Sequence, residues 1–305
     1  MDDLQSILPS DSKSVSTLSS IVLDTDTFNE IDDQFAVTYS LLSGNQFKTE
    51  AIYAAPFYNK RSVSPEDGME KSFAEIHRLI ERIEIEPTHG VLKGSKTFLS
   101  NAKIPITDSE ACRDLIERSQ TPGLTVVAIG ALTNIANALL IDPSLTDRIT
   151  VVWLGGGASN GVGEIISDQE FNLRQDVTAV QVVLDSKVRF FRIPCRGVAS
   201  HLLLTLPEIK TFVENKSKIG SYLAKIFCEY SENHQIPGYS KVIWDIAAIA
   251  AIIDRSWLKF KKIPTPILTP ENHWVLEESR HLSFEAVSIN RNAIFSDFFT
   301  KLSTL

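Results

Sequence analysis

The sequence of 305 residues has few cysteines, no long hydrophobic run and no excess of positive charge. Its three cysteines, Cys112, Cys195 and Cys228, lack the spacing of metal-binding or redox motifs, so we expect reduced, buried thiols and a cytoplasmic protein. No apolar stretch is long enough to span a bilayer, which argues against a membrane protein. The formal net charge of −8 argues against a nucleic-acid partner.

The beginning of the chain also lacks the order of a signal peptide, in which a basic segment precedes an apolar one. Residues 1–19 are polar and rich in serine, and they predict a flexible tail. Neither an internal repeat nor a low-complexity linker divides the remainder. With 43% hydrophobic residues, the sequence can bury a large core, and we expect one domain over residues 20–305.

Acidic residues are concentrated directly after the first apolar run. Residues 21–23 predict a buried β-strand, and apolar side chains at helical spacing predict a helix that begins at Asp32. The acids therefore lie on a strand-to-helix loop, at the edge where open α/β sheets bind their ligands. The acidic residues of this segment are Asp24, Asp26, Glu30, Asp32 and Asp33.

Carboxylates this close together repel one another and resist ionisation. A hard divalent cation such as Ca²⁺ removes the repulsion, because it accepts several oxygen ligands at once. The alternative is an acidic, solvated turn in which Asp32 caps the helix. That alternative explains Asp32 and Asp33, but it does not explain why Asp24 and Asp26 alternate at the strand end. The cluster therefore favours a metal site.

Two other known aspartate motifs have features in common with this segment. An EF-hand loop would need Asp or Asn, Gly and Glu where this chain has Phe28, Asn29 and Phe35, so it is excluded. A strand followed by Asp-x-Asp also resembles the haloacid-dehalogenase-like phosphatases. That family has Thr or Val at the position of Phe28 and a late acidic pair for magnesium, which we do not find. A phosphatase of that type stays open as an alternative.

The order of strand, Asp-x-Asp, loop, Asp-Asp and helix resembles the inosine-uridine preferring nucleoside hydrolase family. The loop Thr27–Ile31 is longer than in the best-known members, which suggests a divergent branch. A second stretch, residues 130–136, strongly resembles the family's Gly-Gly-Leu-Thr-Asn-Ile-Ala and follows a fully apolar strand. The resemblance covers the chain from about Ser20 onward.

The resemblance implies Ca²⁺ as the cofactor, with Asp24 supporting its ligands through hydrogen bonds. Asp245 opens an apolar helix where the family carries His-Asp, and Trp244 stands in place of the histidine. Asp245 alone is also explained as a helix N-cap, but burying an unpaired carboxylate is costly. The implied ligands are the side chains of Asp26, Asp33 and Asp245 and the backbone carbonyl of Ile129.

The resemblance also implies which side chains contact the substrate. Glu170 and Asn172 match the family's Glu-Phe-Asn, which holds ribose hydroxyls, and their alternation predicts that both face one side of an extended segment. Trp244 is expected to stack on the base, and the segment Ser231–Lys241 to close over it. The full set of implied substrate-binding residues is Asp32, Asn59, Asn160, Glu170, Asn172, His234, Tyr239 and Trp244.

Together these patterns predict a single α/β domain with a mostly parallel sheet flanked by helices, resembling the nucleoside hydrolase fold. The implied reaction is hydrolysis of the N-glycosidic bond of a ribonucleoside, with Asp26 as general base and inversion at the anomeric carbon. Asp32 and Glu170 would stabilise the positive charge on the ribosyl group. We expect a small nucleoside as the substrate and a homodimer or homotetramer. A non-catalytic protein that binds a ribosyl ligand is the other alternative.

Overall fold

The computed structural model describes residues 18–99, 108–157, 166–230 and 238–305. Most of the predicted tail and two predicted substrate residues, Asn160 and His234, lie outside the described residues. The strands of the described chain are β1 (Ser19–Thr25), β2 (Phe47–Ala54), β3 (Val91–Lys93), β4 (Leu124–Ala128), β5 (Ile149–Leu154), β6 (Ile166–Ser167), β7 (Arg189–Ile193), β8 (Leu203–Thr205), β9 (Ser240–Val242), β10 (Leu258–Pro264), β11 (Ile267–Leu268), β12 (His273–Val275) and β13 (Leu282–Ile289).

Helices connect most of these strands. In the same part of the chain they are α1 (Asp32–Leu41), α2 (Pro65–Ile83), α3 (Glu110–Arg118), α4 (Thr133–Ile141), α5 (Phe171–Gln175), α6 (Val177–Asp185), α7 (Leu206–Glu208), α8 (Lys218–Tyr230), α9 (Ile246–Ile253) and α10 (Arg291–Ser303). None of the helices in the described ranges is long and apolar enough to cross a membrane.

Eight strands form the central sheet in the order β10-β13-β7-β5-β4-β1-β2-β3. All neighbouring pairs are parallel except β10 and β13, which are antiparallel. The inner strands β1, β4 and β5 are buried on both faces, as expected for a parallel sheet covered by helices. Two shorter sheets, β11-β12-β6 and β8-β9, lie beside it.

The two faces of the sheet have separate hydrophobic cores. Ile21 and Leu23 of β1 belong to the core that also contains α1, α9 and α10, whereas Val22 belongs to the core with α3, α4 and α6. Alternate residues of one strand thus point to opposite helical layers. The predicted α/β class, with a mostly parallel sheet between helices, is confirmed.

The strand order reverses between β1 and β4. From β1 the chain builds outward through β2 and β3, and from β4 it builds the other way through β5 and β7. Asp24 of β1 lies beside Ala128 of β4, so the carboxyl ends of these strands are adjacent. This reversal is a topological switch point, where open α/β sheets leave a crevice for a ligand.

Candidate active site

A cavity of about 470 Å³ opens at the switch point. Its walls come from the loop after β1, the start of α1, the ends of β4 and β5, α5 and the start of α9. The structure therefore brings together residues that are more than two hundred positions apart in sequence. The predicted site residues that line this cavity are Asp32, Asp33, Asn59, Ile129, Glu170, Asn172, Trp244 and Asp245.

Three buried carboxylates meet in the cavity. Oxygen atoms of Asp32, Asp33 and Asp245 lie within 4.8 Å of one another, because α1 and α9 pack side by side and both begin here. Burial raises the pKa of Asp33 to about 8 and of Asp32 to about 6. Burial, followed by the negative charges of Asp32 and Asp33, raises the pKa of Asp245 well above its ordinary value.

The start of each helix shows that these acids are not caps. The N-cap position of α1 is Ile31, and no side chain caps that helix. Asp245 occupies the N-cap position of α9, but its side chain makes no capping hydrogen bond. The alternative explanation of Asp32 and Asp245 as helix caps is therefore wrong, and their carboxylates remain available to a ligand.

Asp26 is fully buried, and neither of its carboxylate oxygens has a hydrogen-bond partner. It does not line the cavity, but burial and the charges of Asp33 and Asp32 raise its pKa well above the usual range. The chain after β4 approaches it closely, since a Cβ added to Gly130 would lie 3.2 Å from Asp26 Cγ. An unpaired buried carboxylate is costly, and a hard cation among these oxygens would satisfy it.

Asp24 is held by a residue from the stretch that follows β4. Its Oδ2 accepts a hydrogen bond from Asn134 Nδ2 at 2.7 Å, while its Oδ1 has no partner. Burial raises the pKa of Asp24 to about 7. Asn134 is itself fixed, because its Oδ1 accepts from Ser95 N at 2.7 Å. The hydrogen bond to Asp24 accounts for the amide at position 134, because a carboxylate oxygen needs a donor.

The backbone carbonyl of Ile129 faces the same cavity. Its oxygen accepts a hydrogen bond from Asn172 Nδ2 at 3.0 Å, and the same nitrogen also donates to Leu154 O at 3.1 Å. Asn172 thus joins the ends of β4 and β5. A carbonyl oxygen has two lone pairs, so Ile129 keeps one acceptor position for another ligand.

The expectation that Glu170 and Asn172 lie on an extended segment is wrong. Residues 171–175 form α5, and Glu170 is its N-cap. The Glu170 carboxylate accepts from the backbone N–H groups of Asn172 at 2.9 Å and Leu173 at 3.0 Å, and from Gly156 N at 2.9 Å. The free N–H groups at a helix start explain the difference, because an acid placed there is a good cap. Both side chains nevertheless line the cavity.

Two further predicted substrate-binding residues, Asn59 and Tyr239, line different cavities. Asn59 lines the cavity, where its Nδ2 donates to Asn29 Oδ1 at 2.7 Å. Tyr239 instead lines a neighbouring cavity of about 560 Å³, and its ring contacts Phe227 edge-on at 6.3 Å. The two cavities share Lys60, Arg61 and Tyr230 in their walls.

A cluster of hydrogen-bonded polar side chains beside the acids was not predicted from the sequence. Lys241 Nζ lies 2.6 Å from Glu30 Oε2, and the Tyr230 hydroxyl donates to Glu30 Oε1 at 2.6 Å. The Lys241 charge also opposes the rise in the pKa of Asp32. Cys195 was likewise missed; it lines the cavity, where burial raises its pKa well above the ordinary value. These contacts join distant parts of the chain, so no local pattern indicates them.

The fold is that of the open α/β proteins, which bind their ligands at the switch point of the sheet, and here buried carboxylates line the cavity at that point. A family model described as "Inosine-uridine preferring nucleoside hydrolase" matches residues 21–281, and the chain belongs to this family. Membership of this family makes the protein an N-ribosyl hydrolase, an enzyme of nucleoside catabolism. The resemblance stated from the sequence is confirmed.

Relatives and solved structures agree with this assignment. The chain is 26% identical over 232 residues to "Probable uridine nucleosidase 2" of Arabidopsis thaliana, with 70% of each chain covered. It is 27% identical over 157 residues to the inosine-uridine preferring nucleoside hydrolase of Crithidia fasciculata, over about half of each chain (50% and 49%). A plant nucleoside hydrolase, PpNRh1, shares the fold with a TM-score of 0.75 at 18% identity, over 95% of this chain and 100% of that chain.

Proposed function

We propose that this protein is a Ca²⁺-dependent hydrolase that cleaves the N-glycosidic bond of ribonucleosides to give a base and ribose. The observation that carries the proposal is the pair of buried, unpartnered Asp26 oxygens next to the cluster of Asp32, Asp33 and Asp245. Buried like charges of this kind need a counter-charge, and the donor set consists of hard oxygen atoms.

In this proposal Asp26, Asp33, Asp245 and the Ile129 carbonyl hold the ion. The free acceptor position of Ile129 and the unpartnered oxygens of Asp26 support these roles. Asp24 is not a ligand; it is held by the hydrogen bond from Asn134 and supports the position of the ligand residues. When bound, Ca²⁺ neutralises the carboxylates and lowers the pKa of a water molecule in its coordination sphere.

The protein's own side chains then carry the reaction. Asp26 accepts the proton of the attacking water as general base, and its freedom from hydrogen bonds suits this role. Asp32 and Glu170 stabilise the oxocarbenium character of the ribosyl group. Asn59 and Asn172, together with Asn160, orient the ribose hydroxyls. No side chain forms a covalent bond to the ribosyl group, and water attacks directly, so the configuration at the anomeric carbon is inverted.

Trp244 stands where the family often has a histidine, and it lines the cavity. Its indole N–H is a poor acid, so Trp244 stacks on the base instead of protonating it. His234 and Tyr239 belong to the segment proposed to close over the base. Tyr239, in the adjoining cavity, would have to move toward the acids for this. Substrates whose base leaves without a proton from position 244 are therefore favoured.

The test is a screen of purine and pyrimidine ribonucleosides for released reducing sugar, with and without a chelator. We expect ribose release that needs Ca²⁺ and is lost in Asp26→Asn. The matched control is Asp147→Asn, which removes an exposed aspartate far from the cavity. Phosphate release from phosphomonoesters with Mg²⁺ would support the phosphatase instead, and ribose binding without turnover would support the binding protein.

The proposal extends to the setting of the enzyme. All three cysteines are unpaired in the structure, which supports a reducing, cytoplasmic location. The resemblance supports a homodimer or homotetramer. Light scattering of the purified protein measures the mass directly, and a mass of one chain at micromolar concentration would refute self-association.

A further inference from the structure

We propose that the preferred substrate carries an anionic group, which binds to a basic rim around the mouth of the acid-lined cavity. This inference rests on the proposed function, because it concerns the specificity of the same site. The basic rim is defined by four residues that line the cavity: Lys60, Arg61, Arg174 and Arg196.

The rim residues converge from three separate segments. Lys60 and Arg61 follow β2, Arg174 lies on α5, and Arg196 follows β7. Lys60, Arg174 and Arg196 are exposed, whereas the carboxylates of Asp32, Asp33 and Asp245 are buried. The cavity therefore has acids in its deep part and cations at its mouth.

The part of the chain that the structure describes does not neutralise these cations. Within the described ranges, no carboxylate forms an ion pair with any of the four. Arg174 lies over the ring of Phe171 at 5.4 Å. Arg61 donates to the backbone carbonyl of Glu30 at 2.8 Å and lies over the Phe28 ring at 4.3 Å. Both guanidinium groups are thus positioned without losing their charge.

The acidic residues of the cavity already have other partners or roles, so they do not neutralise the basic rim. Glu30 pairs with Lys241, and Glu170 accepts three backbone N–H groups. Asp33 and Asp245 are assigned to the metal, and Asp32 to the ribosyl group. A chain with a formal net charge of −8 has no general excess of cations that would place four of them here by composition. The uncompensated positive charge belongs to this cavity.

Part of the rim is held in place by a contact between its segments. Tyr58 N donates to Gln175 Oε1 at 2.7 Å, which ties the loop carrying Lys60 and Arg61 to the helix carrying Arg174. Guanidinium groups bind phosphate and carboxylate oxygens through paired N–H donors. The shared chemistry of the ligand is therefore a ribosyl compound with an anionic oxygen group. A phosphate on the 5′-oxygen and a carboxylate on the base both satisfy it.

The experiment compares kcat/KM of the Ca²⁺-loaded enzyme for uridine, uridine 5′-monophosphate and 6-carboxyuridine. We expect at least one anionic substrate to exceed uridine by about tenfold or more, and the better one identifies the source of the charge. Its kcat/KM should fall several-fold between about 0.05 M and about 0.5 M NaCl, because exposed charges are screened. The value for uridine should change little.

A double variant, Arg174→Gln with Arg196→Gln, should lower the ratio of anionic to neutral kcat/KM by about 10- to 100-fold. The matched control is Arg113→Gln, an exposed arginine on α3 outside the cavity wall, which should leave the ratio unchanged. Uridine preferred over both anionic substrates, or a ratio unaltered in the double variant, overturns the rim while leaving the hydrolase assignment intact.

A binding measurement distinguishes failure of the hydrolase proposal from failure of the basic rim. If none of the three compounds is hydrolysed, the hydrolase proposal fails, and calorimetry then tests the rim with two pairs of ligands: ribose with ribose 5-phosphate, and uridine with 6-carboxyuridine. Tighter binding of ribose 5-phosphate, reduced in the double variant, supports an anion site on the ribosyl side. Equal binding within both pairs overturns the basic rim.

Discussion

Two regions of this molecule bury charged side chains, and they do so in opposite ways. The acid cluster at the switch point, Asp24, Asp26, Asp32, Asp33 and Asp245, collects charges of one sign. The second region, on the far half of the sheet, pairs charges of opposite sign: Arg192 of β7 with Glu285 of β13. The charged side chains of both regions are buried to a similar degree, so the two regions differ in chemistry and not in exposure.

The Arg192–Glu285 pair is largely satisfied by the protein itself. The two residues are 2% and 1% exposed, and they are register partners on neighbouring strands. Lys261 Nζ also lies 3.1 Å from Glu285, and the Arg192 guanidinium lies 4.2 Å over the Trp274 ring. Arg192 Nη1 is the nitrogen left without a hydrogen bond. Nothing in this region needs an external ion.

The acid cluster lacks any comparable balance. The positive charge of Lys241 opposes the rise in the pKa of Asp32. Both carboxylate oxygens of Asp26 and one of Asp24, however, have no hydrogen-bond partner. Buried charge alone therefore does not indicate a ligand-binding site. A cluster of buried like charges that the chain leaves unbalanced does, because it needs a bound cation or added protons to neutralise it.

The largest expected effect is the loss of activity in Asp26→Asn. This change keeps the shape of the side chain but removes the proton acceptor and one negative ligand. Ribose release should fall about 1000-fold. The initial rate with saturating Ca²⁺ measures it, and activity within a few-fold of the unaltered enzyme would remove Asp26 from its proposed role.

Stability should respond in opposite directions in the two regions. Glu285→Gln leaves Arg192 buried without its counter-charge and should lower the free energy of unfolding by about 3 kcal/mol. Asp26→Asn relieves repulsion and should raise the free energy of unfolding of the Ca²⁺-free protein by about 1 kcal/mol at pH 8. Urea unfolding measures both. The same sign in both variants would contradict the comparison.

The pH dependence of stability should depend on Ca²⁺. Burial raises the folded-state pKa of Asp32, Asp24 and Asp33 to about 6, 7 and 8, above the ordinary value of 3.8. Their protonated forms stabilise the fold at low pH, so the Ca²⁺-free protein should lose stability as the pH rises from about 4 to about 8. Ca²⁺ in about 100-fold excess over its Kd should restore about 2.7 kcal/mol.

Thermal melts in Ca²⁺ and in chelator test this at two values of pH. The gain in Tm on adding Ca²⁺ should be larger at pH 8 than at pH 5.5, because protons compete for the same oxygens. Mg²⁺ at the same concentration is the control for ionic strength. A gain that is independent of pH would mean that these carboxylates do not bind the ion.

A smaller effect is expected for Asn134→Ala. This variant removes the hydrogen bond to Asp24 Oδ2, so that neither oxygen of Asp24 is held. Ca²⁺ affinity should fall about tenfold. Calorimetry measures it, and Asn137→Ala, one turn further along α4, is the matched control because its amide donates to the Ser95 hydroxyl. Equal losses in both would indicate a general effect of α4.

Much of the fold was predictable because local patterns determine it. The apolar run at residues 21–23 predicted β1, and helical spacing predicted the start of α1 at Asp32. The acids could be placed at the sheet edge because loops follow the carboxyl ends of parallel strands. The resemblance to a known family then supplied Asp245 from the far end of the chain.

The rest depends on contacts that no local pattern encodes. Arg192 and Glu285 are 93 residues apart, and Lys241 and Glu30 are 211 apart. Alternation of Glu170 and Asn172 suggested an extended segment, but the carboxylate instead accepts the N–H groups that begin α5. The basic rim consists of single cations on three segments, and each looks like an ordinary surface residue until the fold brings them together.

The most direct test of the unbalanced acid cluster is a crystal structure of the protein soaked with Ca²⁺ and ribose. We predict one ion with oxygen atoms of Asp26, Asp33 and Asp245 at about 2.3–2.6 Å. A well-ordered structure that shows these carboxylates apart, with no ion bound among them at millimolar Ca²⁺, would contradict the account.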